Sequence, residues 1–377
     1  MSRGGFASGV ALVAVAGLGG CVTPTHHPAL VVADVSVCDQ GWQVVQQLGT
    51  ESGAPATLAL AGGELYFPIW AGKQIVAIPE AGGAPRVVAS QPAYKTWIEG
   101  DQLTYAILDD KLWRVPTAGG EPALIVDGQT TYLPPAYSLA DDVDLDQTSF
   151  YWDLQSQIGD REWTVWRLPR DGGDARQLAT LPLPTPAYAW RTLNAVPGGV
   201  LVTVESDPVA AYFLPSDGGP PQTLAPPPAP DSRTTTFLVA TGPDSLVWVN
   251  ESWEIGEDWP TTRMSLVDMH ASGAVAVRPF WPDKPAAVRP VANVRAGWPD
   301  DAGGWIITGT EQLSDQRAHV TVWQVDAGGN ARRLGCSPTG LDGFTSAIAL
   351  TPDSVYAVVG VDGDSSYFDY QVVKIAR

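Results

Sequence analysis

The sequence predicts an all-β fold, a seven-bladed β-propeller of four-stranded antiparallel blades whose closing blade is shared by N- and C-terminal strands. Three observations lead there. The phrase IPEAGGAPRVVA, from Ile78 to Ala89, returns as VPTAGGEPALIV, LPRDGGDARQLA and LPSDGGPPQTLA. Runs with helical period are missing from a chain holding 39 glycines and 33 prolines, a composition that suits short strands and many turns. The last unit lacks its final strand, while a strand without a unit stands near the N-terminus.

In chain order, MSRGGFASGVALVAVAGLGGC comes first: one basic residue, Arg3, then an uncharged apolar run. At about fifteen residues it is too short to span a bilayer and has the size of a signal-peptide core. It ends in LGGC, Leu18 to Cys21, which resembles the lipobox of bacterial lipoproteins. That resemblance implies a signal peptide over residues 1–20 and a lipid-modified, palmitate-bearing Cys21 as the mature N-terminus. Val22 rather than Asp follows the cysteine, so the implied address is the outer membrane. Residues 21–40, polar and Pro-containing at first, suit a tether. Its adjacent His26 and His27 have no third ligand nearby and read as linker.

The propeller domain is expected over residues 41–377. GWQVVQQLG, from Gly41, looks like a fourth strand with no third strand before it. Second strands follow as LYFPIW, LTYAIL, SFYWDL, VLVTVE, LVWVNE, WIITGT and VYAVVG; third strands as QIVAIP, KLWRVP, TVWRLP, AAYFLP, RMSLVDM, VTVWQVD and DYQVVKIA. Only six fourth strands accompany these seven pairs: PRVVAS, PALIVD, ARQLAT, PQTLAP, AVAVRPF and ARRLGC. First strands include ATLALAG, TTFLVATG and TSAIALTP. The orphan at Gly41 supplies the missing strand and closes the ring. A lone four-stranded sheet has two apolar faces and two open edges; radial stacking buries the faces and closure protects the ends. The GG pair lies where a hairpin needs positive φ, so the recurring phrase is scaffold rather than a phosphate loop.

FYWD, from Phe150 to Asp153, with IVAIP, VWRLP and the GG turns, resembles bacterial TolB-like and YWTD-type β-propellers. The resemblance extends over nearly all of residues 41–377 and implies a fold; it carries no functional residues across.

The formal charge is −19, from 22 basic and 41 acidic residues, which disfavours nucleic acid and anionic lipid as partners. Two cysteines remain, Cys38 and Cys336. An even pair in an exported protein suggests a disulfide; two buried free thiols are the alternative.

Strand direction alternates within a blade, so second-to-third and blade-to-blade connections share one face. The connections DLQSQIGDREW, NESWEIGEDWPTT, GTEQLSDQRAH and GVDGDSSYFD are long, acidic and aromatic. Trp163, Trp253, Trp259, Glu257, Asp258 and Asp364 are expected on that face, with Tyr94, Tyr137 and Tyr188 from three PAY connections. For the tyrosines, packing between blades is the competing role. Trp113, Trp166, Trp248 and Trp323 fall within strands and belong to the blades. Aromatics among carboxylates suit a glycan or a basic segment of an envelope protein.

DGDSSYFD lacks the sixth-position glycine and closing glutamate of an EF-hand loop. No HExxH, GxSxG, P-loop, Rossmann or CxxC pattern occurs. Two of the four histidines lie in the tether, leaving His270 and His319 in different units. No catalytic residue, metal or cofactor is implied. The expectation is an envelope binding or scaffold module; the alternatives are a polysaccharide hydrolase or lyase at the channel mouth, and a structural member of a larger complex.

Overall fold

The computed structural model describes residues 41–49, 55, 57–69, 72–107, 111–127, 137–156, 162–170, 173–182, 190–196, 198–205, 210–224, 234–241, 245–252, 261–269, 275–281, 292–300, 303–312, 318–326, 331–338, 343–362 and 368–377. Every described element is a strand or a turn, and among these residues no helix is long and apolar enough to cross a membrane.

The chain enters through β1 (Trp42–Gly49). The first sheet is then β2 (Ala59–Ala61), β3 (Glu64–Ile69), β4 (Gln74–Pro79) and β5 (Arg86–Ala89), and the second β6 (Ala93–Glu99), β7 (Gln102–Ile107), β8 (Lys111–Pro116) and β9 (Ala123–Asp127). The third is β10 (Tyr137–Leu145), β11 (Ser149–Ser156), β12 (Glu162–Pro169) and β13 (Arg176–Pro182), and the fourth β14 (Trp190–Val196), β15 (Gly199–Glu205), β16 (Ala210–Pro215) and β17 (Gln222–Leu224). The fifth is β18 (Thr234–Thr241), β19 (Ser245–Ser252), β20 (Thr261–Met269) and β21 (Val275–Trp281), and the sixth β22 (Ala292–Pro299), β23 (Trp305–Gln312), β24 (Ala318–Val325) and β25 (Ala331–Cys336). In the last sheet β26 (Gly343–Leu350), β27 (Ser354–Asp362) and β28 (Phe368–Ala376) run in order, and β1 takes the fourth place. All pairs are antiparallel; Gln43 faces Lys374, Val44 faces Val373 and Gln46 faces Val372.

In the first, second, third and last sheets the apolar runs are continuous because both faces are buried. Leu65, Phe67, Val76 and Ile78 pack with Tyr356, Val358 and Val372 of the last sheet. Their neighbours Tyr66, Ile75 and Ala77 point the other way, against Leu103, Tyr105 and Val115 of the second sheet. Period two in the side chains therefore becomes alternation between two adjacent cores. Comparable cores join the second sheet to the third, the third to the fourth and the sixth to the last. First strands also touch from sheet to sheet, β2 with β6, β10 with β14, β18 with β22, β22 with β26, and β26 with β2.

The recurring phrase is a turn with a repeated hydrogen bond. Gly82 N donates to Pro79 O at 2.8 Å, Gly119 N to Pro116 O at 2.8 Å, and Gly218 N to Pro215 O at 3.0 Å. Proline ends the third strand, and the glycine three residues on leaves the turn with positive φ, 83° at Gly82 and 92° at Gly119, a region other residues enter at a cost.

The fourth strands carry a feature the sequence reading did not anticipate. Val88 is skipped between the pairs Ile75–Ala89 and Val76–Val87. Ile125, Leu178, Phe280, Leu334 and, in β1, Val45 are skipped in the same way. Each is a β-bulge, which increases local twist and makes an outer edge a poor template for edge-to-edge pairing.

Candidate functional site

Among the described residues, first-to-second connections such as 62–63 and 100–101 and third-to-fourth connections such as 80–85 and 117–122 are tight turns on one side of the sheets, and side chains tie neighbouring sheets together there. Arg86 Nη2 donates to Glu64 Oε2 at 2.6 Å within the first sheet, and its Nη1 reaches Thr117 O of the second at 3.1 Å. Arg176 of the third sheet reaches Ser216 O of the fourth in the same fashion. Arg170, just after β12, pairs with Glu99 of the second sheet and donates to Asp146 O at 2.8 Å. Arg377, just after β28, pairs with Asp300 of the sixth sheet and donates to Thr351 O at 2.7 Å. Tyr356 OH donates to Glu80 Oε2 at 2.8 Å, joining the last sheet to the first.

The Arg86 guanidinium beside Glu64 holds that carboxyl below its usual range. The stabilisation it contributes is present above the ordinary carboxyl pKa and is lost as pH falls through the lowered value. Both side chains are about a third exposed, at 37% and 30%, so solvent screening keeps that contribution small. Burial raises the Tyr356 phenol, as does the hydrogen bond to Glu80.

First strands carry a second polar belt. Asp144 on β10 accepts from Trp97 Nε1 of β6 at 3.0 Å and from the Ala195 backbone N–H of β14 at 2.8 Å, so one carboxylate joins three sheets. Lys95 Nζ donates to Val143 O at 2.9 Å, Thr96 N to Thr57 Oγ1 at 3.0 Å, and Ser346 Oγ to Pro55 O at 2.8 Å. These groups set the register of neighbouring sheets.

Of the residues the sequence assigns to the long-connection face, three fall in described strands. Trp163 is corrected: it is the second residue of β12, fully buried among Tyr151, Val165 and Leu193, and its Nε1 donates to Asp153 Oδ2 at 2.6 Å. It is core because β12 begins at Glu162, shortening the connection at its C-terminal end. Tyr94 is the second residue of β6, half-buried against the core between second and third sheets, the packing role rather than an open stacking surface. Tyr137 opens β10 opposite Ser156. Trp253, Trp259, Tyr188, Glu257, Asp258 and Asp364 lie outside the described residues, as do Cys21 and Cys38.

Trp113, Trp166 and Trp323 occupy one register position on their third strands and are half-buried. Trp166 and Trp323 donate to the threonine two residues earlier, at 3.1 and 3.2 Å. In the second sheet that place is Lys111, and Trp113 Nε1 has no partner among the described residues. His319 is buried with Nδ1 2.9 Å from Ser337 O and, among the described residues, no partner for Nε2. Among the described residues no group of three or more His, Cys, Asp or Glu could hold a metal.

Stacked four-stranded antiparallel sheets closed by the N-terminal strand define an all-β, propeller-like class of protein. The likeness to one solved structure, YCF48, supports this fold. No known protein-family model matches the chain, and no curated protein matches it. Among solved structures, YCF48 from Cyanidioschyzon merolae is similar over 89% of this chain and 98% of its own, at 9% identity and a TM-score of 0.56. Sqt1 of Saccharomyces cerevisiae is similar over 88% of each chain, at 9% identity and a TM-score of 0.46. The N-terminal domain of Nup159 covers 89% of this chain at 10% identity and a TM-score of 0.45.

Proposed function

We propose that this chain is a lipid-anchored, seven-bladed β-propeller of the TolB-like or YWTD-like kind that serves as a binding or scaffold module at the bacterial outer membrane. The observation that carries the binding role is the unequal treatment of the two sides. Short turns laced by Arg86, Arg170, Arg176 and Arg377 occupy one. The long acidic and aromatic connections of the sequence leave from strand ends on the other. Rigid scaffolds commonly carry recognition on the loops of one face, and a chain of charge −19 favours a basic protein segment or a glycan over a polyanion. The residues assigned to contact it are Trp253, Trp259, Glu257, Asp258 and Asp364, with Tyr137 and Tyr188. No observation favours the polysaccharide-cleaving alternative.

Peptide and glycan arrays probed with the mature chain test this reading. A ligand found there should lose at least about tenfold in affinity, roughly 1.4 kcal/mol, with Trp253→Ala or Trp259→Ala. A ligand indifferent to both, but lost on charge reversal of Glu121 and Asp217 in the tight turns, would sink the assignment.

The proposal includes a Cys38–Cys336 disulfide. Cys336 is fully buried. A Cβ on Gly41 would lie 2.9 Å from Leu334 O, so the chain three residues after Cys38 presses against β25 two residues before Cys336. Three residues span at most about 10 Å, within which two Cα atoms can reach the roughly 5.5 Å separation of a disulfide. Reductant should add two hydrogens to the intact mass; two alkylatable thiols in the unreduced native protein would exclude the bond.

A further inference from the structure

We propose that the outer wall formed by β1, β5 and β9 is the side this protein turns to the bilayer, an orientation that rests on the lipid anchor at Cys21. Three large hydrophobics stand out as exposed among the described residues, Val44 at 42%, Val87 at 47% and Leu124 at 45%. They are one position repeated: each immediately precedes the bulge residue of a fourth strand and pairs with the same place on its third strand, in Val44–Val373, Val87–Val76 and Leu124–Trp113. The sheets that carry them, the last, first and second, are consecutive around the stack.

The stripe has ends. The same position is Arg333 in the sixth sheet, stacked 5.2 Å over Trp323, and Gln177 in the third. Charge is scarce along it, in a chain with 41 acidic residues. β1 has no charged residue, β5 has only Arg86, neutralised by Glu64, and β9 has only Asp127 at its last position. A side with little charge lets a strongly anionic protein approach a headgroup layer at the least electrostatic cost.

What commits the stripe to lipid rather than to a protein is where the chain attaches. Residues 1–40 precede β1, the first of the three strands, so the tether from Cys21 joins the wall only a few residues before Val44. Two weak membrane signals in one chain act together where one alone is marginal. Three half-exposed aliphatic side chains do not hold a protein on a bilayer; they select which side of a tethered protein rests there.

The test uses the full lipidated chain in phosphatidylcholine vesicles, with a nitroxide placed in turn through Val44→Cys, Val87→Cys, Leu124→Cys, Gln177→Cys and Arg333→Cys. Expected is a several-fold higher ratio of collision with oxygen to collision with a water-soluble nickel complex at the first three, greatest at the middle one, residue 87. Equal ratios at all five sites overturn the orientation, as do labels at the first three that are already immobilised without vesicles, the signature of a second copy seated there. Backbone hydrogen exchange of the unlabelled chain, slowed by vesicles in β5 and β9 but not in β13, gives the same answer without a substitution. The anchor is tested separately: Cys21→Ser should leave the membrane fraction. Retention of that variant overturns the anchor, whereas its release together with equal label ratios overturns the orientation alone.

Discussion

Deleting residues 41–50 should lower the thermal midpoint by at least about 6–8 °C or abolish cooperative unfolding, because β1 is the only part of the last sheet drawn from the other end of the sequence. Val45 and Leu48 pack against the core shared by first and last sheets, and Trp42 against the core shared by sixth and last. Burial of a large apolar side chain stabilises by about 1.5–3 kcal/mol, so these three partly buried residues contribute roughly 4–6. Losing β1 also opens the β28 edge at Val372, Val373 and Ile375, all fully buried. With total stability near 5–15 kcal/mol and about 1.4 °C lost per kcal/mol in a chain this long, a shift of that size follows. Circular dichroism melts, with light scattering for exposed-edge aggregation, make the measurement. Deleting β17, whose three residues close no ring, is the control and should cost much less. An unchanged midpoint without β1 would mean that the ends do not close the stack.

Periodicity made the strands and their order legible. The orphan GWQVVQQLG could be matched to β28 because six fourth strands served seven third strands, a count that needs no geometry. The GG turns were legible because positive φ selects glycine. The bulges were not: a skipped residue such as Val88 or Leu334 is apolar like its neighbours, and only the pairing reveals it. Nor was the register of Trp163. A tryptophan beside acidic residues reads as loop until β12 is seen to start at Glu162 and Asp153 to meet its indole.

The stitching of the sheets was missed although its signal is present. Arg86 and Arg176 both open fourth strands, and Arg170 and Arg377 both follow third strands. Recurrence at fixed offsets from the repeat would have paired them with partners one sheet away. Asp144 carries no such mark, since its donors Trp97 and Ala195 are 47 and 51 residues off.

Asp300→Asn should cost about 3–5 kcal/mol, a fall of roughly 4–7 °C in midpoint, and should cost more than the double variant Asp300→Asn with Arg377→Met. The pair is almost wholly enclosed, with side-chain exposures of 8% for Arg377 and 1% for Asp300. Removing one charge leaves the other buried without its counterion, which is the expensive state. Removing both exchanges an ion pair for a neutral amide and an apolar chain, and costs less because no charge stays stranded. Gln324 sharpens the asymmetry: its Nε2 donates to Asp300 Oδ2 at 2.6 Å, so an asparagine there can offer an amide N–H where an acceptor is needed. Arg377 also donates to Thr351 O, so the single variant loosens the junction of sixth and last sheets, next to the one that β1 closes. Arg86→Ala, which breaks a screened pair, should change the midpoint by no more than a few degrees. Denaturant melts of the four proteins measure these differences directly; a double variant less stable than Asp300→Asn would show that the pair contributes through packing rather than charge.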